Sequence, residues 1–424
     1  MDTPSPVTRL TDDERQFRAT VREFAGTHVA PLVAEMDQRS EYCPKLVARL
    51  FTTGLMGIEV PRSYGGLGHG LFHVVLAIEE LARVDPAVAV LVDVQNALVA
   101  GALLRWGSAD QRRRHLPRLA GGVVGAYALS EREAGSDAFA MTTTARRDGD
   151  HFVLSGRKAW TTSAEQAELF LVFVDMADSA GGTPRFGAFL VDRDTPGLTV
   201  GDNVDKMGIR ASSTCELVLD GVRVGGHDLV GRPGDGAMLA VESLNIGKLG
   251  IAGQLVGLAQ GALDLALRYA RERRQFGRRI VDFQGVSFPL ARVAADLEAA
   301  RVLLYNTVRA VEHPETSPGE RMRTTAMAKL LASDVAERAA SCAVETLGGV
   351  GFTVAGQAEK LYRDAKVGRI YEGTSNLQLR TIAATFAPQV PGGEQPVDPA
   401  APAPNGSRSE TEASAPWPIS SAQP

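Results

Sequence analysis

In the stretch IYEGTSNLQ, residues 370 to 378, one carboxylate, Glu372, stands between Tyr371 and Gly373. A carboxylate accepts protons, and burial in an apolar pocket makes it a stronger base by disfavouring its charged form. Gly373 lets the chain turn closely past a ligand, because it has no Cβ to obstruct the approach. The plain alternative is a solvated surface charge, which is what most glutamates are. A second stretch, AYALSEREAGSDAFAMTTTA (126 to 145), holds Ser130, the pair Gly135-Ser136, and Asp137. Small residues and hydroxyls let backbone N–H groups approach a polar ring or a phosphate, although a capped turn uses the same residue types. A third, SGRKAWTTS (155 to 163), sets Trp160 two residues before Thr162. On a strand these side chains share a face, so one covers a planar heterocycle while the other bonds its edge. A core tryptophan is the competing reading. RERRQFG (271 to 277) places arginines at the end of a long helix, suited to the helix C-terminus or to a pyrophosphate.

The elements that must position these residues come in three blocks. Up to about residue 122 the chain reads as helical, with Thr11 as N-cap ahead of the acidic DDE and with helical spacing in FHVVLAIEELARV. The Gly-rich loop PRSYGGLGHG does not match GxGxxG and follows no clear strand, so it is not a nucleotide motif. From 123 to 238 the pattern turns to short strands: TTTARRDGDHFVLSG as a hairpin turning at Asp148-Gly149, then LFLVFVDM, FGAFLVDRD and TCELVLDGVRV. From 239 to 386 three apolar stripes return at helical spacing. One runs from Leu290 to Val311, another from Met327 to Cys342, and a third from Ile251 to Tyr269. They predict a helical bundle. The expected fold class is α+β, with an N-terminal helical domain (1–122), a middle β domain (123–238), a C-terminal bundle (239–386) and a Pro-rich tail (387–424). That tail holds nine of 22 prolines and predicts disorder.

Composition narrows the function classes. The net charge of −5 over 424 residues gives no reason to expect nucleic acid or an anionic membrane as partner. No run reads as a bilayer span, and MDTPSPVTRLTDDE has neither a signal-peptide core nor an Arg-rich transit character. Cys43, Cys215 and Cys342 form no CxxC or zinc pattern, so no metal is expected and reduced thiols in a cytoplasmic protein are.

Together YALSEREAGSD, KAWTTS, RERRQFG, ETLGGVGF and YRDAKVGRIYEGTSNLQ resemble the acyl-CoA dehydrogenase family in order and spacing, over residues 10 to 386. RASSTCELVL and LNIGKLGIAGQLVGLAQGALD look closest to its short/branched-chain members, which act on 2-methylacyl thioesters. The resemblance implies a non-covalent FAD outside any Rossmann crevice. Tyr127, Leu129, Ser130, Gly135 and Ser136 would line the flavin, Ser136 also touching the thioester. Trp160, Thr161 and Thr162 would pack on the isoalloxazine and bond near N5. Arg273 and Gln284 would contact the pyrophosphate and adenosine portion across a subunit interface, and Glu345, Gly348, Gly349, Thr374 and Asn376 would also meet the cofactor. Glu372 would be the base that takes the α-proton while the β-hydride leaves for the flavin. Ala237, Asn245, Lys248 and Gly373 would face the substrate.

Two positions depart from that pattern. Lys248 stands where an arginine is usual, which keeps the charge and loses the planar fork. Ala237 stands where many members carry an aromatic. The resemblance further implies a homotetramer and an electron-transferring flavoprotein as electron acceptor. Three alternatives remain beside a CoA-ester desaturase: the same chemistry on an acyl-carrier-protein thioester, a non-catalytic partner-binding member, and a flavin oxidase or monooxygenase on the same fold.

Overall fold

The computed structural model describes residues 9–176 and 186–386, so the expectation for the Pro-rich tail lies outside the described residues. Helix α1 (Asp12–Phe24) begins where the sequence places it. Thr11 Oγ1 accepts from Glu14 N at 3.2 Å and Glu14 Oε2 accepts from Thr11 N at 2.8 Å, a reciprocal cap. Short helices α2 (Val33–Arg39) and α3 (Pro44–Thr52) lead to α4 (Leu71–Ala82) and α5 (Pro86–Asp93). A π-helical segment, Val94–Ala100, continues α5 into α6 (Gly101–Trp106), and α7 (Ala109–Gly121) closes this block.

Eight strands form one mixed sheet, apart from a two-stranded ribbon of Arg274–Gln275 and Arg278–Arg279: β1 (Gly125–Ala128), β2 (Thr144–Asp148), β3 (His151–Thr162), β4 (Leu169–Met176), β5 (Phe186–Asp192), β6 (Leu198–Val200), β7 (Thr214–Gly225) and β8 (Leu229–Val230). Their order is β6-β7-β3-β2-β4-β5-β8, with β1 pairing parallel to β4. The expected hairpin is present, but Asp148 pairs with His151, so the turn is Gly149-Asp150. Gly149, at φ +63°, supplies the left-handed position that a two-residue turn of this kind requires.

Helix α8 (Gly236–Glu272) runs 37 residues, followed by α9 (Gln284–Glu312), α10 (Pro318–Leu347), α11 (Ala358–Lys366) and α12 (Ser375–Ala383). Packing of α10 on α8 and α9 makes the bundle, and α4 packs on α8 to join it to the N-terminal helices. Helices, then a sheet, then helices is the α+β order that the sequence predicts.

One expectation needs correction. Two helical runs, Pro86–Trp106 and Gly236–Glu272, are long and apolar enough to cross a membrane by length and composition. Within the fold, 94% and 78% of their most apolar windows are buried, so the rest of the chain already covers the surface that a bilayer would.

Candidate active site

The turn carrying Glu372 is built from two consecutive left-handed residues, Glu372 at φ +52° and Gly373 at φ +84°. Glycine takes that conformation freely, whereas a glutamate there is held by its surroundings. Gln378 Nε2, on α12, donates to the carbonyls of Glu372 (3.2 Å) and Gly373 (2.9 Å). Lys329 Nζ, fully buried on α10, donates to the same Gly373 carbonyl at 2.8 Å. Thr374 caps α12 by accepting from Leu377 N, while Asn376 is exposed. Before the turn, the Tyr371 hydroxyl donates to Gln254 Oε1 on α8.

The Glu372 side chain is half-buried, yet its Oε2 is fully buried and has no hydrogen-bond partner among the described residues. The carboxylate leans on α8 at Gly247, where a Cβ would stand 3.1 Å from Oε2. Desolvation raises its pKa to about 7, opposed by the positive charges of Lys248 and Lys329. Lys248 is half-buried and its Nζ donates to Asn245 Oδ1 at 3.0 Å. One helical turn along α8, Gly250 receives another carboxylate, Asp93, from the C-terminal end of α5. Asp93 has zero exposure and both its oxygens are unpartnered. Burial first, and the Glu372 charge second, hold its pKa well above the ordinary carboxylate value and favour its protonated form.

The loop after β1 and the end of β3 are tied together from inside. Lys158 Nζ, fully buried, donates to Leu129 O (3.0 Å) and to Glu131 Oε1 (2.8 Å). Glu131 also accepts from Thr142 N at 2.6 Å and from Thr143 N at 2.9 Å. Burial pushes the Glu131 carboxyl up, but Lys158 and the two threonines outweigh it and hold it at about 2. Ser130 O accepts from Ala159 N at 2.8 Å, which closes the link. Gly135 and Ser136 lie exposed on the loop.

Trp160 differs from its expected place on a regular strand. The ladder with β7 shifts register between Lys158 and Thr161, and Trp160 sits at φ +59°. Period-two alternation therefore does not carry across this point, and Thr161 is the buried threonine while Thr162 is half-buried. Trp160 is 58% exposed, so it is no core tryptophan.

The polar groups left over fit a bound flavin. The hydroxyls of Tyr127, Thr161 and Ser375 are buried without partners, and each lies on a segment beside Trp160 or the Glu372 turn. Buried hydroxyls without partners are costly, and a polar ring seated against Trp160 would offer them bonds. Arg273, Gln284, Glu345, Gly348 and Gly349 are exposed on the ends and connections of α8, α9 and α10, so they add nothing to the cluster around Glu372 within one chain. Ala237 is half-buried in the first turn of α8. Lys329, Asp93, Gln378 and the Lys158–Glu131 pair are functional candidates that sequence reasoning does not single out.

The chain matches the acyl-CoA dehydrogenase N-terminal domain over residues 11–123, the middle domain over 126–222 and the C-terminal domain over 234–387. It is 48% identical over 379 residues to a probable short/branched chain specific acyl-CoA dehydrogenase of Dictyostelium discoideum, covering 89% of this chain and 91% of that one. It is 45% identical to the mitochondrial short/branched chain specific acyl-CoA dehydrogenase of Rattus norvegicus, covering 89% and 87%. Among solved structures, butyryl-CoA dehydrogenase from Megasphaera elsdenii is similar at a TM-score of 0.85 and 34% identity, covering 91% of this chain and all of the other.

Proposed function

Because the chain belongs to the acyl-CoA dehydrogenase family, we propose that Glu372 is the base of an α,β-dehydrogenation of a short or branched acyl-CoA. The protein is a flavin-dependent oxidoreductase and its cofactor is FAD. One observation carries the role of Glu372: a carboxylate with a buried, unpartnered oxygen and a pKa of about 7, held on a left-handed turn between two lysines. Such a group is ionised in a useful fraction at neutral pH and still binds a proton strongly.

In the proposed reaction Glu372 takes the α-proton, while Lys248 and Lys329 keep its charge tolerable before transfer. Tyr127, Leu129, Ser130, Gly135 and Ser136 from the loop after β1, with Trp160, Thr161 and Thr162 from β3, would hold the FAD. Thr374 and Asn376 would meet it from the far side of the base. FAD supplies the acceptor for the β-hydride. Arg273, Gln284, Glu345, Gly348 and Gly349 would reach the FAD of a second copy of the chain, which supports a homotetramer. Gly373, Asn245 and Ser136 would contact the thioester, with Ala237 shaping the acyl end. The division 1–122, 123–238, 239–386 and 387–424, an electron-transferring flavoprotein as acceptor and a cytoplasmic location belong to the same proposal.

Anaerobic addition of butyryl-, isobutyryl-, 2-methylbutyryl- and isovaleryl-CoA to the FAD-loaded protein tests the reading. Bleaching of the flavin, fastest with a branched or short ester, is expected. Lys248 and Ala237 support a second reading, in which the thioester is carried on an acyl-carrier protein. Bleaching by carrier-protein thioesters and by none of the CoA esters would replace the first reading with that one.

A further inference from the structure

Lys329 is one of two lysines whose side chains have no exposure at all, and it differs from the other. Lys158 is neutralised in place by Glu131 at 2.8 Å. Lys329 makes a single hydrogen bond, to a main-chain carbonyl, and no carboxylate stands within ion-pair distance of it among the described residues. A desolvated ammonium with one neutral acceptor is costly to a fold, and an apolar side chain of similar length would fill the same seam at lower cost. The charge therefore calls for a reason other than packing.

Its surroundings supply one. Helix α10 presents two donors in succession to the segment that carries the base. Ser333 Oγ donates to Gly368 O at 2.9 Å, and one turn earlier Lys329 Nζ donates to Gly373 O at 2.8 Å. The second contact falls on the left-handed pair Glu372-Gly373, whose carbonyls would otherwise rely on Gln378 alone. Five other groups face this place from the elements packed around it. Lys248 comes from α8, Asp93 from the end of α5, Tyr127 from β1, and Tyr371 and Glu372 from the turn itself. Burial favours the neutral forms of Asp93 and of both tyrosines, and the positive charges that act on the Glu372 carboxylate are those of Lys248 and Lys329.

We infer that Lys329 is a positioning residue for the base: it fixes the turn through Gly373 and places a second positive charge beside the Glu372 carboxylate. The inference rests on the reading of Glu372 as the base. Without the Lys329 charge the carboxylate holds its proton more tightly, so more alkaline conditions are needed to ionise it. Burial already lowers the Lys329 pKa to about 8, and the Glu372 carboxylate works against that fall. The two groups thus support each other's charged forms.

The test reads proton transfer alone. 3,3-Dimethylbutyryl-CoA has α-hydrogens and no β-hydrogen, so it can exchange with solvent and cannot be dehydrogenated. Exchange of its α-hydrogens in D2O is followed by NMR across pH with the FAD-loaded wild type, Lys329→Met, Lys329→Gln and Glu372→Gln. Wild type should exchange with an acid limb near neutrality. Both Lys329 variants should move that limb up by about one pH unit, the shift that an opposite charge of this kind produces, and so exchange about tenfold more slowly on the acid side. Both should retain FAD, as judged by the flavin spectrum. A limb that stays in place in either FAD-bearing variant would overturn the inference. So would loss of FAD from both, because it would make Lys329 a general support of the fold. Undiminished exchange by Glu372→Gln would instead remove the base itself and the reading on which the inference rests.

Discussion

Glu372 Oε2 and Gly247 face each other across the seam between the Glu372 turn and α8, with 3.1 Å between the oxygen and the place where a Cβ would stand. The same Cβ would lie 2.7 Å from Leu98 Cδ2, so a methyl group here would press on both the leucine and the carboxylate. Gly247→Ala should push the carboxylate off its position while the helix, which tolerates alanine well, stays intact. Misplacement on this scale costs up to about a hundredfold in rate. Stopped-flow bleaching with 2-methylbutyryl-CoA should show at least a tenfold loss in a variant that still binds FAD and melts within a few degrees of wild type. Wild-type rates would show that the base does not use this contact.

The raised pKa of Glu372 sets the pH dependence. The base must be ionised to accept a proton, so bleaching should be slow in acid, rise as pH passes through about 7, and then level off. The pH profile of the single-turnover bleaching rate checks this. A rate already constant from pH 5 upward would mean that the base ionises as an ordinary solvated carboxylate.

Asp93 should show itself in stability. Its folded-state pKa lies above its unfolded value, so folding favours the protonated form. The stability this gives is fully present below the ordinary carboxylate range and is lost as pH rises toward the folded pKa. Asp93→Asn removes the titrating group and keeps the shape. Its melting temperature relative to wild type should therefore climb as pH rises above the ordinary carboxylate range, read by thermal unfolding monitored with circular dichroism. A constant difference would mean that folding leaves the Asp93 pKa where it is in the unfolded chain.

The Lys158–Glu131 pair predicts a loss of folding and of cofactor together. Lys158→Met leaves the Glu131 carboxylate buried without its cation, a change that costs about 3–5 kcal/mol. It also frees the loop at Leu129 O. Melting should fall markedly, and the purified variant should carry less FAD. Adding Glu131→Gln should return part of the stability, because no uncompensated charge is left. No recovery in the double variant would mean that the lysine acts chiefly through Leu129.

What the sequence reveals here depends on how local the signal is. The helix–sheet–helix order shows in the change of apolar spacing from 3.6 to 2 and back, and Thr11 reads as a cap because its partner Glu14 is three residues away. Lys329 is hidden for the opposite reason. Within AMAKLLAS it looks like the polar side of an amphipathic helix, and its acceptor lies 44 residues later. The stripe from Met327 to Cys342 is also drawn slightly off the buried face, since Met327 and Leu331 are half-buried while Lys329 and Ser333 are fully inside. Asp93 leaves a trace that could have been followed, being the single charge between Pro86 and Leu104. Trp160 breaks the strand with a left-handed backbone that no spacing rule announces, because a tryptophan adopts it only when tertiary contacts hold it there.

The most direct measurement is anaerobic single-turnover bleaching of the FAD-loaded protein by 2-methylbutyryl-CoA, wild type beside Glu372→Gln. Glutamine keeps the shape of the turn and removes the proton acceptor. Wild type should bleach, and the variant should bind the ester, seen as a shift of the flavin band, yet bleach at least a thousandfold more slowly, a loss within the range expected for a general base. Bleaching of the variant at a rate close to wild type would contradict the assignment of Glu372 as the base.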